Sequence, residues 1–414
     1  MKITVMGQGY VGLPLAMAAV EAGHTVFGFE PDKDRLNRLK IADSYVEDVP
    51  DKTLRAALET SRYVPTDVDA LLVDFDVAVI TVPTPLTDRQ PDLSFVRAAA
   101  QTLAWHLKAG ATVILESTTH PGTTRDLVVP ILEQATGWKA GEDFHVGFSP
   151  ERIDPGNERW TFENTPKIVA GLTPACRARA LEFYASITQN VVPADSLEAA
   201  ELAKVFENTF RHVNIALVNE LSQLAHVLGV DVWHTLELAA TKPFGFTKFT
   251  PGPGVGGHCL PVDPVYLTHH ARTRHGHAFR LVELAQDVND GQPEYVVSRL
   301  QDALNARSIP LNGARILALG LAYKPGTADV RESPAVAVTE LLIEKGARLD
   351  IVEPHLTKVT PNDFRAIPRD LGAYDAVVLL TQHADFDLQH VADHARYVLD
   401  TRGAMPVAPH IERL

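Results

Sequence analysis

Two residues of this 414-residue chain are cysteines, and one of them sits where a thiol could do chemistry. Cys259 lies in TPGPGVGGHCLPVDP, residues 250–264, directly after His258 and four residues before Asp263. The glycines and prolines ahead of it carry little helix or strand propensity. A backbone of that kind can bring N–H groups close to a ligand while presenting a single thiol. A free cysteine is usually just a small hydrophobic side chain, but a histidine and a carboxylate nearby suit a reactive thiol better. Cys176, in TPACRARA, has the opposite setting and reads as a packing residue of a helix. No second cysteine or spaced histidine pair completes a tetrahedral set with His258 and Cys259, so no metal is expected.

A second set of residues is suited to holding a phosphate. Gly7, Gly9 and Gly12 follow a short apolar run at G-x-G-x-x-G spacing. Residues 13–22 then read as an Ala/Leu-rich helix closed by Gly23, and residues 25–29 as a strand that ends at Glu30. Strand, glycine turn, helix and a terminal acid are the context that gives the fingerprint its meaning. Gly7 allows the tight turn, Gly9 lets the backbone approach a pyrophosphate, and Gly12 lets helix and strand pack closely. The helix N-terminus offers unpaired N–H groups and partial positive charge. Glu30 would accept from ribose hydroxyls and repel a 2′-phosphate, which favours NAD over NADP, although Lys33 and Arg35 lie nearby. FAD shares the fingerprint, and glycines serving only packing are the bland alternative. Tyr10 and Val11 within the turn, Arg35, and Thr84 further on join the expected cofactor set.

Lys204 and Asn208 are four apart in a predicted helix and share one face, flanked by Glu201 and Glu207. From spacing alone, a solvated face with charge partners is the better reading. On a buried face the lysine would instead stabilise a developing alkoxide, or act as a base.

The elements that carry these residues are legible from periodicity. Apolar runs at 3–6, 25–29, 77–82, 112–115 and 145–148 alternate with helical stretches, as in a mostly parallel, doubly wound sheet. From about residue 196 an apolar repeat at three and four runs on to Gly229, a helix long enough to connect two lobes and to form a dimer face, or a large core helix. A second α/β unit begins near residue 314, with strands at 315–319, 348–352 ending at Glu353, 376–380 and 397–399, and a helix at 334–345 closed by Gly346. The fold class is therefore α/β: two Rossmann-like, doubly wound lobes joined by a long central helix and a helical middle domain. The expected boundaries are 1–195, 196–298 with the cysteine loop, and 299–414.

Composition sets the outer limits. With 38 Lys+Arg against 52 Asp+Glu the formal charge is −14, so no nucleic-acid or membrane-surface partner is expected and any anionic ligand needs a local site. No run approaches the ~18 apolar residues of a membrane span. Two cysteines make no disulfide scaffold, and the N-terminal stretch lacks a basic region ahead of an apolar one. A cytoplasmic protein is expected.

Taken in order, the N-terminal GxGxxG, EST at 116–118, SPE at 149–151, Lys204 with Asn208, GGHCLPVDP at 256–264 and GLAYKPGTADVRESPA at 320–335 resemble the UDP-glucose/GDP-mannose dehydrogenase family over essentially the whole chain. The resemblance implies a four-electron oxidation of a nucleotide sugar's C6 alcohol to a carboxylate, with two NAD used in succession. By this resemblance Cys259 captures the intermediate aldehyde as a thiohemiacetal, later a thioester that water hydrolyses. Lys204 and Asn208 hold oxyanion character, Asp263 orders water or assists proton transfer, and Thr118 and Glu151 position water and close over the site. Tyr323, Lys324, Asp329 and Arg331 match the stretch that engages the nucleotide diphosphate and cofactor phosphates. Glu151, Arg152, Gly256, Arg211 and Lys248 join the substrate set, the last two as phosphate contacts from a partner protomer of a homodimer built on the central helix.

Pro155 stands where relatives acting on UDP-glucose or GDP-mannose carry a second glutamate, and the thiol motif reads GGHCLPVDP rather than GGSCFPKD. With ENTFRHVNIALVNE at 207–220, these features resemble the branch that oxidises UDP-N-acetylhexosamines. UDP- or TDP-glucose is the runner-up substrate. A plain two-electron dehydrogenase would not need Cys259, and a nucleotide sensor would not need Lys204, Asn208, Cys259 and Asp263 together.

Overall fold

The structure, a computed structural model, describes every residue except 88–89, 154–156, 158, 258–259 and 357–362. The chain folds into two compact units, Met1–Glu207 with Val265–His275, and Asn208–Pro264 with Gly276–Leu414.

The first unit holds β1 (Lys2–Met6), β2 (Thr25–Phe29), β3 (Tyr63–Thr66), β4 (Val77–Ile80), β5 (Leu86–Thr87), β6 (Gln90–Pro91), β7 (Thr112–Leu115), β8 (His145–Phe148), β9 (Lys167–Gly171) and β10 (Val191–Pro193). Eight of them form one sheet in the order β10-β9-β8-β7-β4-β1-β2-β3, while β5 and β6 pair separately. Every pairing in the large sheet is parallel except β8 with β9. Its inner strands VAVI and TVIL are fully buried apolar runs, because helices cover both faces of such a sheet. Successive residues feed opposite layers: Val77 and Val79 join one core cluster, Ala78 and Ile80 the other. The strand order reverses beside β1, the place where open α/β sheets leave a crevice at their carboxyl ends.

Helix Leu197–Leu228 gives its first turns to this unit and the rest to the second. The second unit adds helices Val232–Ala240, Arg280–Asp290 and Gln292–Asn305, and strands β11 (Arg315–Leu319), β12 (Arg348–Val352), β13 (Asp363–Phe364), β14 (Ala376–Leu379), β15 (Val398–Asp400) and β16 (Ile411–Arg413). These form an all-parallel sheet ordered β13-β12-β11-β14-β15-β16. Helix Pro334–Glu344 starts as its sequence dictates, with Ser333 Oγ accepting the Ala335 N–H at 3.3 Å and Pro334 in the first turn. Gly23 and Gly346, at φ of +88° and +85°, end their helices in the left-handed region.

The two α/β sheets stand as expected, with the partial exception of the antiparallel β8–β9 pair. Within the two large sheets the strands missed by periodicity are β3, β9, β10, β13 and β16, and the separate pair β5–β6 is missed as well. Two of these are edge strands carrying proline (YVPT and VVP), a residue that a sheet accepts only at its margin.

Candidate active site

At the carboxyl end of β1 the chain turns through Gly7, whose φ is +92° and whose added Cβ would lie 3.0 Å from the Thr81 carbonyl oxygen. A Cβ at Gly12 would fall 2.0 Å from the Gly7 carbonyl oxygen, so the helix Gly12–Glu21 rests on the strand only because both positions are glycine. At Gly9 a Cβ would meet nothing within 4 Å, which leaves open space where a pyrophosphate would approach. Val11 is the N-cap residue, and Tyr10 packs against the core beneath. Glu30, 4% exposed, accepts the Gln8 N–H on Oε2 and the Asp32 N–H on Oε1, both at 3.1 Å. Gln8 is itself pinned: Tyr45 Oη donates to its carbonyl at 2.7 Å and Tyr63 Oη to its Oε1 at 2.8 Å. Arg35 lies over the Tyr45 ring at 5.5 Å. Thr84 is buried beyond β4, and Thr118 is half-buried beyond β7. An anchored carboxylate, a glycine cradle and a free helix N-terminus fit a dinucleotide whose ribose lacks a 2′-phosphate.

Further along the same sheet edge, β7 delivers Glu116 and Thr118, and β8 delivers Glu151. Glu116 is fully buried and ion-paired with Lys167, whose Nζ also lies 3.2 Å from Glu151 Oε2. Tyr184 Oη donates to Glu116 Oε2 at 2.5 Å. Burial pushes the Glu151 carboxyl upward, but Lys167, hydrogen bonds from Glu116 and the Ile153 N–H, and the Lys204 charge outweigh it and hold it below its usual range. Glu116 is driven upward by the same burial. Residue spacing signals neither Lys167 nor Tyr184, and in EST the family resemblance points to the threonine rather than to the glutamate.

Lys204 is 8% exposed and Asn208 5%, so the solvated face that their spacing suggests is overturned. Their flanking acids serve other groups. Glu201 accepts from the Gly122 N–H at 2.6 Å, the Thr124 N–H at 2.9 Å and Thr124 Oγ1 at 2.7 Å. Glu207 takes the Arg152 guanidinium at 2.7 Å. Arg152, expected at the substrate, is thus in an ion pair and also donates to the Pro166 carbonyl at 2.8 Å.

In the second unit, Asn208 Nδ2 donates to Asp263 Oδ2 at 2.5 Å, joining two buried side chains 55 residues apart. Asp263 opens the helix Asp263–His275. The glycine-rich loop lies against the 320–335 stretch: a Cβ at Gly256 or Gly257 would stand 2.8 Å from Tyr323 atoms, and the Gly257 N–H donates to the Arg331 carbonyl at 3.1 Å. Two sequence motifs thereby become one surface. Arg331 is paired with Asp329 at 2.6 Å, and Lys324 Nζ lies 5.9 Å from the Tyr323 ring centroid. Lys248 pairs with Glu237, and Arg211 is exposed. Cys259, His258 and Pro155 lie outside the described residues.

The second sheet repeats the acid-at-strand-end device. Glu353, after β12, accepts the Leu321 N–H at 2.7 Å and the Ala322 N–H at 3.0 Å, beyond a Gly320 whose φ is +87°.

Three models of the UDP-glucose/GDP-mannose dehydrogenase family match in sequence: its NAD binding domain over residues 1–188, its central domain over 198–291 and its UDP binding domain over 317–406. The chain is 36% identical to the UDP-N-acetyl-D-glucosamine 6-dehydrogenase of Pseudomonas aeruginosa, covering 97% of each chain. It is 35% identical to the UDP-N-acetyl-D-mannosamine dehydrogenase of Pyrococcus horikoshii, covering 93% of this chain and 90% of that one. A solved UDP-D-ManNAc dehydrogenase from Pyrococcus horikoshii superposes with a TM-score of 0.91 at 32% identity, covering 100% of this chain and 99% of that one.

Proposed function

The chain belongs to the UDP-glucose/GDP-mannose dehydrogenase family, NAD-dependent oxidoreductases, and from that premise we propose that it oxidises the C6 alcohol of a UDP-N-acetylhexosamine to the uronic acid. The observation that carries this reading is the buried Asn208–Asp263 pair, whose aspartate follows Cys259 by four residues in sequence, within a chain whose relatives match end to end. When bound, NAD would supply the hydride acceptor that each of the two oxidations requires. The turn Gly7–Gly12 and the helix behind it would hold the pyrophosphate, Tyr10, Val11, Arg35, Thr84 and Thr118 would complete the pocket, and Glu30 would take the ribose hydroxyls. Arg331 serves the cofactor phosphates.

Cys259 adds its sulfur to the aldehyde carbon, giving a thiohemiacetal, and the second oxidation leaves a thioester on the same sulfur. Water cleaves that thioester to the carboxylate and frees the thiol. The Lys204 ammonium opposes the oxyanion that forms at each stage, with Asn208 donating beside it. Asp263 orders the attacking water or takes its proton, and Thr118 and Glu151 position water. Tyr323, Lys324, Gly256, Arg211 and Lys248 serve the nucleotide diphosphate, with Arg152 alongside in its ion pair with Glu207. Residues 1–195 are read as the NAD-binding domain, 196–298 as the central domain and 299–414 as the UDP-binding domain.

The acetamido preference rests on the names of the relatives and on the motif differences at 155 and 256–264. A homodimer through the helix Leu197–Leu228 accounts for its row of exposed apolar side chains. Among the described residues no helix is long and apolar enough to cross a membrane, and a reduced thiol suits the cytoplasm.

NADH yield with limiting UDP-GlcNAc, and separately with limiting UDP-glucose, tests the reading. Two NADH per sugar from UDP-GlcNAc alone is the expected result. The same yield from UDP-glucose alone would keep the mechanism and overturn the sugar. Cys259→Ala is expected to abolish acid formation, and normal uronate output from that variant would remove the thioester route.

A further inference from the structure

Four side chains in the first unit form a connected polar set that the mechanism above uses only at one end. Glu116 follows β7, Glu151 follows β8, Lys167 opens β9, and Tyr184 stands on the helix Pro174–Ala185. Neighbouring strands bring them together: Lys167 is ion-paired with Glu116 and lies 3.2 Å from Glu151 Oε2, and Tyr184 Oη donates to Glu116 at 2.5 Å. Glu151 Oε1 accepts the Arg152 N–H at 2.6 Å and the Ile153 N–H, so the carboxylate is gripped on both oxygens. The rings of Phe162 and Tyr184, each 5.4 Å from Lys167 Nζ, flank the ammonium. A buried ionic cluster is weak support for a fold, because apolar residues of similar volume are often as stabilising. Three desolvated ionisable side chains gathered at the carboxyl end of a sheet therefore point to a task rather than to packing.

We propose that Lys167 is a positioning residue for the reaction: it keeps the Glu151 carboxylate ionised and aimed, while Glu116, locked by Tyr184, fixes the lysine. This rests on the assignment of Glu151 to the reaction made above. The charged groups that face Glu151 are Lys167, Glu116 and, from the long helix, Lys204; those that face Glu116 are Lys167, Glu151 and Tyr184.

The test is the pH profile of kcat for acid-forming turnover. Removing a cation this close is expected to move the ionisation of Glu151 up by about one pH unit or more, so Lys167→Met displaces the acid limb of kcat upward by that amount. KM for the UDP-sugar changes far less, and Lys167→Arg brings the limb back. If Lys167→Met does not fold, K167M combined with E116Q removes both ionisable partners, leaves no second carboxyl group facing the missing ammonium, and carries the same expectation. A folded variant whose acid limb coincides with that of the parent overturns the proposal. Glu151→Gln separates the two levels. Full turnover in that variant removes the assignment of Glu151 and the proposal with it. A slow Glu151→Gln with an unmoved acid limb in Lys167→Met removes only the positioning role.

Discussion

Glu201 shows how much a single residue's surroundings decide. It is fully buried and accepts three hydrogen bonds, yet burial outweighs them and pushes its carboxyl from the ordinary 4.5 to about 7. The folded state thus binds the proton more tightly than the unfolded chain does. Its contribution to stability is fully present below pH 4.5, declines as pH rises, and levels off above about 7. The decline is roughly 3 kcal/mol, because each tenfold gain in proton affinity on folding is worth about 1.4 kcal/mol. Glu201→Gln cannot ionise, so melts of variant and parent from pH 5 to 8 are expected to converge or cross in favour of the variant. A constant gap across that range would contradict this reading of Glu201. Lys204, three residues on, is also buried, and there a cation has a use that a solvated face would not supply. Lys204→Ala is expected to slow both oxidation steps by about 10²–10³, the loss typical of one oxyanion donor, and single-turnover NADH formation would read each step separately.

At the scale of elements, the long helix Leu197–Leu228 is fastened to the glycine-rich loop by side-chain amides. Asn219 Oδ1 accepts the Gly252 N–H at 3.0 Å while its Nδ2 donates to Asn289 Oδ1 at 3.0 Å, and Asn289 reaches the His212 carbonyl at 3.2 Å. His212 is also buried, and burial lowers its imidazole to about 4, so it stays neutral at physiological pH. A loop of glycine and proline has little structure of its own, so its position depends on such anchors. Asn219→Leu leaves the Gly252 N–H and the Asn289 amide oxygen without this partner. It is expected to cost about 1–3 kcal/mol by thermal or urea unfolding, and to lower kcat through the loop that carries Cys259. Unchanged stability would mean that the loop finds its place without that bond. The helix pattern was legible from residue 196 onward because its apolar repeat is long. The amide clamp was not, because Asn219, Gly252 and Asn289 are far apart in sequence.

For the whole molecule, the same helix poses the question of assembly. Leu202, Phe206, Phe210, Leu217 and Leu224 are between 44% and 61% exposed and recur at fours and sevens along its length. An apolar row of this kind on a chain of net charge −14 supports the proposed assembly through this helix. A second copy of the helix is the natural complement. Replacing Leu217 and Leu224 together with lysine is expected to change the species seen by sedimentation or light scattering from dimer to monomer. A parent protein that already runs as a monomer would remove the dimer itself.

The sequence determined most of the inner strands of the two α/β sheets, the glycine turn with its acid at Glu30, the length of the central helix and the set of motifs that mark the family. The strands, the turn and the helix are written in periodicity or in spacing within some thirty residues, which local backbone preference and side-chain alternation translate directly into structure, while the family motifs are spread along the whole chain. Tertiary structure alone decided that Lys204 and Asn208 are buried, that Glu201 and Glu207 turn to Thr124 and Arg152, and that the Gly256–Gly257 backbone lies on Tyr323. It also decided that Glu116, Glu151, Lys167 and Tyr184 converge. Charge pairing in a desolvated interior depends on which strands become neighbours. The order β9-β8-β7 is fixed by the packing of the whole sheet, and no residue spacing along the chain records it.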